Sequence, residues 1–354
     1  MIADKKHRIT GITIMTALIL SALLGVGNSI GNAEHTVPPA GRYVQRSIEE
    51  KVEFEPFIRI DRDDPMAYEQ DLANLRIITE GAYALGKPKE KYGIAPDYVQ
   101  DLTGLDTLNA SASAQFNEWQ FRRLADTLRA EAEGKELIVF DLRRENHAFL
   151  DGRPFSVYGL HNWSNEGLTA EQIMQNERLF FGALAGTEFQ AFAKGSDHRG
   201  EMSSYELDSM MTEQDLVKSE GFVYKRIPVL DHTWPKPEEV DTFIDFIKYH
   251  DMDHIWLHFH CHAGSGRTGA FLVIYDKMKN PDVAIEDICV RQAMLGASYM
   301  LQPKASDDYK IPLYQEKVKG VTQFGQYVEE NYENNYSVSW SDWLLKQSKP
   351  DGAQ

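Results

Sequence analysis

Apolar and polar positions along this chain fall into short blocks whose period switches between helix and strand. Phe116, Trp119, Leu124 and Leu128 recur near helical spacing in a segment that begins at Ser113, and Gly134 supplies its stop. Leu137-Ile138-Val139-Phe140 follows as an unbroken apolar run of strand length, ending at Asp141-Leu142-Arg143. The alternation returns later. Phe222 to Leu230 predicts a strand that delivers Asp231, and Pro237 opens an amphipathic helix carrying Val240, Phe243, Ile244 and Ile247. Ile255 to Phe259 predicts the next strand, and Ala270-Phe271-Leu272-Val273-Ile274 the helix after it, ended by Asn280-Pro281. Ile285, Ile288 and Met294 mark a further helix, and a long one is predicted over residues 312–332. Helix, strand and polar strand end in rotation predict an α/β domain with a mainly parallel sheet.

Two regions depart from that rhythm. Phe54-Glu55-Pro56-Phe57-Ile58-Arg59-Ile60 predicts a short strand, and Asp64-Pro65 opens a stretch of helical character through Ala84, stopped by Gly86 and Pro88. Between residues 148 and 224, short β-like pieces (Ser156-Val157-Tyr158 and Glu188 to Phe192) flank a helix begun at Thr169, with Gln172 at capping-box spacing. This stretch reads as an insertion. It divides the chain into 34–147, 148–224 and 225–354, with Trp340 and Trp343 pinning the C-terminus.

The first residues lie outside that core. Lys5, Lys6 and Arg8 precede an apolar run from about Ile9 to Val26, and Gly31-Asn32-Ala33 offers a small-x-small site. This predicts a signal peptide over 1–33 and a periplasmic or secreted chain with no stable membrane association after cleavage. The run approaches the length of a bilayer span, but threonines interrupt it and no basic stop follows. The 354 residues are 42% hydrophobic, enough for a sizeable core, and carry a net charge of −17. Residues 1–33 hold three basic and one acidic residue, so their removal leaves −19. Such a balance argues against binding nucleic acid through phosphate contacts, and an anionic substrate must find a local basic pocket. Cys261 and Cys289 are the only cysteines, too few for a disulfide framework.

Cys261 is the residue with the most chemistry around it. His262, Ala263, Gly264, Ser265 and Gly266 separate it from Arg267 and Thr268, between the predicted strand and helix. Glycines let the backbone of such a loop turn its N–H groups inward, and the following helix adds the positive end of its dipole. The same field favours a thiolate as nucleophile. A planar guanidinium can hold two phosphate oxygens, and the Thr268 hydroxyl can reach the sulfur. This is a C-x5-R-[ST] loop of the kind found in cysteine-dependent phosphatases. Displacing an alcohol from phosphorus also needs a proton donor, and Asp231, at a strand end and followed by His232-Thr233-Trp234-Pro235, is placed to swing over the loop. No step calls for a metal or cofactor. His258, His260 and His262 alternate, but loop support or substrate contact suits them better than ligation.

Together with Asp141-Leu142-Arg143-Arg144-Glu145-Asn146-His147, Ser111 to Phe116, Tyr158 to Trp163 and the Trp340–Trp343 ending, these motifs resemble the protein-tyrosine-phosphatase-like phytases of bacteria. The similarity runs from about residue 54 through nearly all the remaining chain. It implies a tyrosine-phosphatase-like fold with a small inserted β-barrel domain, and stepwise hydrolysis of inositol polyphosphates through a phosphocysteine. It also implies a ring of substrate-binding cations: Arg59, His232, Lys304 and Lys310, with Lys194 further out. Two positions depart from the family pattern, His262 where an acidic residue is expected and Asn162 where an aspartate is. A protonated His262 would favour the neighbouring thiolate. The expected substrate is a small polyanion such as an inositol phosphate. The alternative enzyme is a secreted protein-tyrosine or dual-specificity phosphatase, while a catalytically dead phosphate-binding module is opposed by the presence of Cys261, Arg267 and Asp231 together.

Overall fold

A computed structural model describes residues 54–62, 72–86, 89–195, 199–302 and 307–348. The predicted signal peptide and Lys304 lie outside the described residues. The strands are β1 (Phe57–Ile60), β2 (Arg76–Ile78), β3 (Ala110–Ser113), β4 (Glu136–Arg143), β5 (His147–Leu150), β6 (Arg153–Tyr158), β7 (Glu188–Phe192), β8 (Met202–Glu206), β9 (Met210–Met211), β10 (Val223–Val229) and β11 (Ile255–His260). The helices are α1 (Glu118–Ala132), α2 (Ala170–Leu184), α3 (Glu213–Ser219), α4 (Pro237–Tyr249), α5 (Gly266–Lys279), α6 (Ile285–Leu295), α7 (Lys310–Asn331) and α8 (Trp340–Gln347).

Five strands form the central sheet in the order β10-β4-β11-β3-β2. The first four are mutually parallel and β2 runs antiparallel to β3. Side chains of a strand alternate between faces, so a strand buried on both sides reads as a continuous apolar run. In β4, Leu137 and Val139 pack with Phe121, Leu124 and Leu128 of α1. Ile138, Phe140 and Leu142 point the other way, into a second core with Phe243 of α4, Phe271 and Tyr275 of α5 and Trp340 of α8. Fully burying one such aromatic stabilises the fold by about 1.5–3 kcal/mol. β11 divides likewise: Trp256 joins the α1 side, while Ile255, Leu257 and Phe259 join the α5 side.

The helix starts have local causes. Asn117 and Gln120 form a reciprocal capping box at α1, as Thr169 and Gln172 do at α2, and Pro237 occupies the first turn of α4. Two readings change. Arg76–Ile78 is a strand, not part of a helix, because its β-branched residues pair with Ala110–Ala112. Ser113 ends a strand instead of starting the helix: β3 reads Ala-Ser-Ala-Ser and lacks the bulky residues that mark strands in sequence.

The second sheet runs β8-β7-β1-β6-β5-β9 and packs its apolar face against Phe181 and Leu184 of α2. It is not built from residues 148–224 alone. β1 comes from far upstream and pairs with β6 on one side and β7 on the other, and β5 begins at His147. The resemblance implies a small β-barrel; among the described residues the strand order runs from β8 to β9, with no pairing between those two strands. The short connection 144–146 between β4 and β5 therefore joins the two sheets, and Glu145 stands in it.

Candidate active site

Cys261 continues the parity of Leu257 and Phe259, so its sulfur turns toward the α5 side of the sheet and is 2% exposed. His258 and His260 share the opposite face with Trp256. His258 lies between the hydroxyls of Ser111 and Ser113 at 2.9 and 3.1 Å, and His260 Nε2 is 2.5 Å from Glu213 Oε1. Neither histidine has the parity of the sulfur, and both act as buried support. The loop from Cys261 to Gly266 is braced on three sides. The Gln115 amide donates to the His262 carbonyl at 3.1 Å, the Asn74 side chain to Ala263 at 2.7 Å, and the Ser298 amide to Ser265 at 3.0 Å. Gly264 takes φ +70°, and a Cβ there would lie 2.4 Å from the Ser113 carbonyl. That crossing of backbones excludes every side chain.

Arg267 is 1% exposed and its guanidinium is gripped by Glu145: Nη1 donates to Oε2 at 2.7 Å and Nη2 to Oε1 at 3.0 Å. The ladder continues without reaching solvent. Glu145 Oε1 accepts Arg143 Nε at 2.8 Å, Arg143 Nη1 donates to Asp61 Oδ2 at 2.9 Å, and Arg59 Nη2 donates to Asp61 Oδ1 at 3.0 Å. Three guanidiniums face two carboxylates in this ladder, and the Asp231 carboxylate, 3.4 Å from Arg267, meets the remaining positive charge. Burial alone would raise Glu145, but Arg267 and Arg143 hold it well below the usual carboxylate range. Arg267 Nε has no hydrogen-bond partner among the described residues.

Asp231 follows β10 directly, as predicted. Its Oδ2 lies 3.4 Å from Arg267 Nη2 and accepts Asn162 Nδ2 at 3.1 Å, while its carbonyl accepts Trp163 Nε1 at 2.8 Å. Burial raises the carboxyl, but Arg267 and His232 outweigh it and keep Asp231 ionised. Trp234 in the same loop fits against Gly320 of α7. The loop is thus held against Arg267, the 160–163 turn and α7.

The remaining expected residues divide. Arg59 is buried, and its Nη2 lies 3.4 Å from His262 Nε2. Burial pushes the His262 imidazole down to about 3; Asp61 opposes this, and Arg143 and Arg59 add to it. It is therefore neutral, and it meets Arg59 and Asp61, so it does not lend the sulfur a positive charge. Thr268 Oγ1 is buried with no hydrogen-bond partner, which leaves its hydroxyl off the sulfur in this state. His232 and Lys310 stand at the rim beside Tyr309, and Lys194, exposed, is within electrostatic reach of Arg59 and Asp231. Lys317 escaped the sequence reading. It is 6% exposed, and burial lowers its ammonium to about 8 against the pull of Asp231 and Cys261. Its spacing from Lys310, two helical turns, was the available signal.

Asp141, Glu213 and His260 bring donor atoms within 4.8 Å of one another, the one grouping among the described residues with the chemistry of a metal site. Its negative charge is already met. Arg226 Nε is 3.3 Å from Asp141, and His147 lies within 3.3 Å of Asp141 and Glu213. Burial and Arg143 work against a charged His147, yet Asp141 and Glu177 hold it at about 10.

A C-x5-R loop at the carboxyl edge of a parallel sheet, with a carboxylate loop held against its arginine, defines the tyrosine-phosphatase-like class of α/β proteins. A family model for PTP-like phytases, described as inositol hexakisphosphate, matches residues 140–279. Over those residues the chain matches the protein-tyrosine-phosphatase-like phytase family, and it is similar to solved phytases of that family. The tandemly repeated PTP-like phytase from Mitsuokella multacida superposes with a TM-score of 0.72 at 34% identity, over 82% of this chain and 49% of that one. The PTP-like phytase from Bdellovibrio bacteriovorus superposes with a TM-score of 0.62 at 27% identity, over 82% of this chain and 95% of that one. Among curated proteins, the effector protein hopD2 of Pseudomonas syringae pv. tomato is 27% identical over 227 residues, 62% of this chain and 48% of the relative. The chain spans about half the length of the Mitsuokella and Pseudomonas proteins.

Proposed function

We propose that this chain is a cysteine-dependent phosphatase that removes phosphates stepwise from inositol polyphosphates. The observation that carries it is the loop from Cys261 to Arg267, with its guanidinium fixed by Glu145, faced by Asp231 and left with an unpartnered Nε to meet an anion. A phosphate group seated there accepts loop N–H groups and the free edge of Arg267. Cys261 Sγ attacks phosphorus in line with the ester oxygen; the S–P bond forms as the P–O bond breaks, and Asp231 gives its proton to the departing alkoxide. Water then attacks phosphorus, Asp231 takes a proton from it, and the S–P bond breaks to release inorganic phosphate and the thiolate.

Asp231 is ionised against Arg267. An incoming phosphate engages that guanidinium and sets negative charge beside the carboxyl, and both changes favour the protonated form the first step needs. Around the mouth stand Lys310 and Lys317, with Arg59 buried beneath them and His232, its imidazole pushed down by burial, beside them as a hydrogen-bonding group; together they offer more than one phosphate requires and match a polyphosphorylated ring. A Mitsuokella relative has been solved with myo-inositol-(1,3,4,5)-tetrakisphosphate, which supports the same substrate class here. The test is product analysis with phytate beside a phosphotyrosine peptide, for the wild type and Cys261→Ser. Stepwise loss of phosphate from phytate, absent in the serine variant, is expected; full turnover by the serine variant refutes the mechanism.

The similarity to an effector protein points to a role on a partner's molecules, and action on phosphoproteins is the second reading, which a strong preference for the peptide in the same assay would establish. Export belongs to the proposal and rests on residues 1–33. N-terminal sequencing of the chain from periplasm or medium should begin at Glu34, and a chain retaining residues 1–33 would contradict cleavage.

A further inference from the structure

The contact between Asn162 and Asp231 goes beyond the residues that hold phosphate. We propose that Asn162 is a positioning residue for the general acid, holding the Asp231 carboxylate over the loop and setting the pH range in which it gives up its proton. This rests on the phosphatase reading above.

Asn162 lies in the turn Leu160–Asn162 after β6 and is 2% exposed. His161 and Asn162 both adopt left-handed backbone, φ +57° and +64°. Two such residues in succession persist only where their surroundings hold them. Here the His161 ring stacks on Tyr309 at 3.8 Å, the Asn162 amide donates to the Gly159 carbonyl at 2.8 Å, and Trp163 donates to the Asp231 carbonyl at 2.8 Å. The turn therefore grips the acid by its main chain and its carboxylate at once. An ionised carboxylate can only accept, so the amide nitrogen faces it, and Asn162 Oδ1 is left buried without a hydrogen-bond partner.

The charged and titratable groups facing Asp231 are Arg267 Nη2 at 3.4 Å and His232 Nε2 at 4.0 Å, its imidazole pushed down by burial, with Glu145, Lys194 and Lys317 beyond. The phenols of Tyr158, Tyr309 and Tyr314 complete the surroundings. When phosphate enters, Arg267 turns to it. Asn162 has no such competing partner and remains on the carboxylate while the proton moves. Its donor favours the ionised form, so it lowers the pH below which the acid is loaded.

The test is the pH dependence of kcat on phytate for the full chain, wild type against Asn162→Asp, Asn162→Gly and Asp231→Asn. Aspartate has the size of asparagine and tolerates positive φ, and glycine prefers it, so both variants suit the backbone. The alkaline limb should move up by about 1 pH unit or more in Asn162→Asp and by less in Asn162→Gly, with KM changing little. An alkaline limb that stays in place or moves down in both variants, with native near-ultraviolet dichroism, overturns the proposal. If Asp231→Asn keeps the wild-type rate and limb, the acid assignment fails, and the role of Asn162 with it.

Discussion

Replacing Glu145 by glutamine tests the ladder beneath the nucleophile without changing its shape. The wild-type carboxylate serves Arg267 at 2.7 and 3.0 Å and Arg143 at 2.8 Å, and all three side chains are 1% exposed or less. Glutamine keeps one acceptor and turns an NH2 group toward a guanidinium. Breaking a buried pair from one side costs about 3–5 kcal/mol, because the other charge stays buried and unmatched. With an unfolding entropy of roughly 0.6 kcal/mol per degree for about 300 residues, Tm should fall by about 5–8 °C. Loss of the grip on Arg267 should also cost about 10²–10³ in kcat, as for other preorganised donors aimed at developing charge. Calorimetry and steady-state rates on phytate read the two effects separately. A glutamine variant that melts within about 1 °C of wild type and keeps its kcat would refute both the charge count and the clamp.

Other expectations follow from single contacts. Gly264→Ala places a Cβ 2.4 Å from the Ser113 carbonyl at φ +70°, and should abolish turnover and phosphate binding while most of the fold survives; a folded, active variant in a vanadate-binding assay would contradict the close crossing. Gly320→Ala puts a Cβ 2.6 Å from the Trp234 indole and should push the acid loop outward. An ångström of displacement costs about 10²-fold in kcat on phytate. Aryl phosphates, whose leaving group needs less protonation, should lose less, and equal losses on both would contradict the assignment of that loop. Lys317, with its ammonium lowered to about 8, is charged below that pH and neutral above it. KM for phytate should therefore rise as pH passes upward through about 8, and the step should vanish in Lys317→Met. Turnover should survive a metal chelator, and its loss would count against the cysteine route.

The α/β alternation was legible because strands buried on both faces write themselves as apolar runs, as at residues 137–140 and 255–259. β3 was not, since Ala110 to Ser113 is small enough to lie beside the nucleophile loop and carries no strand signature. The second sheet could not be bounded from sequence either, because β1 reaches it across many intervening residues. At the site, Cys261, Arg267 and Asp231 declared themselves by spacing within one loop and at one strand end. Asp61, Glu145 and Lys317 did not, for they meet the loop only through tertiary packing. His262 shows the limit in the other direction. Beside a cysteine in sequence it suggested a positive charge, yet burial among Arg59 and Arg143 leaves it neutral.

The central claim is that sulfur at position 261 accepts phosphorus directly. Rapid acid quenching of the enzyme during turnover of phytate, followed by mass spectrometry of the peptide containing Cys261, tests it most simply. The account predicts a phosphorylated Cys261 that accumulates when Asp231 is replaced by asparagine and is absent in Cys261→Ser. Steady turnover with no phosphorus on that residue at any time point would contradict it.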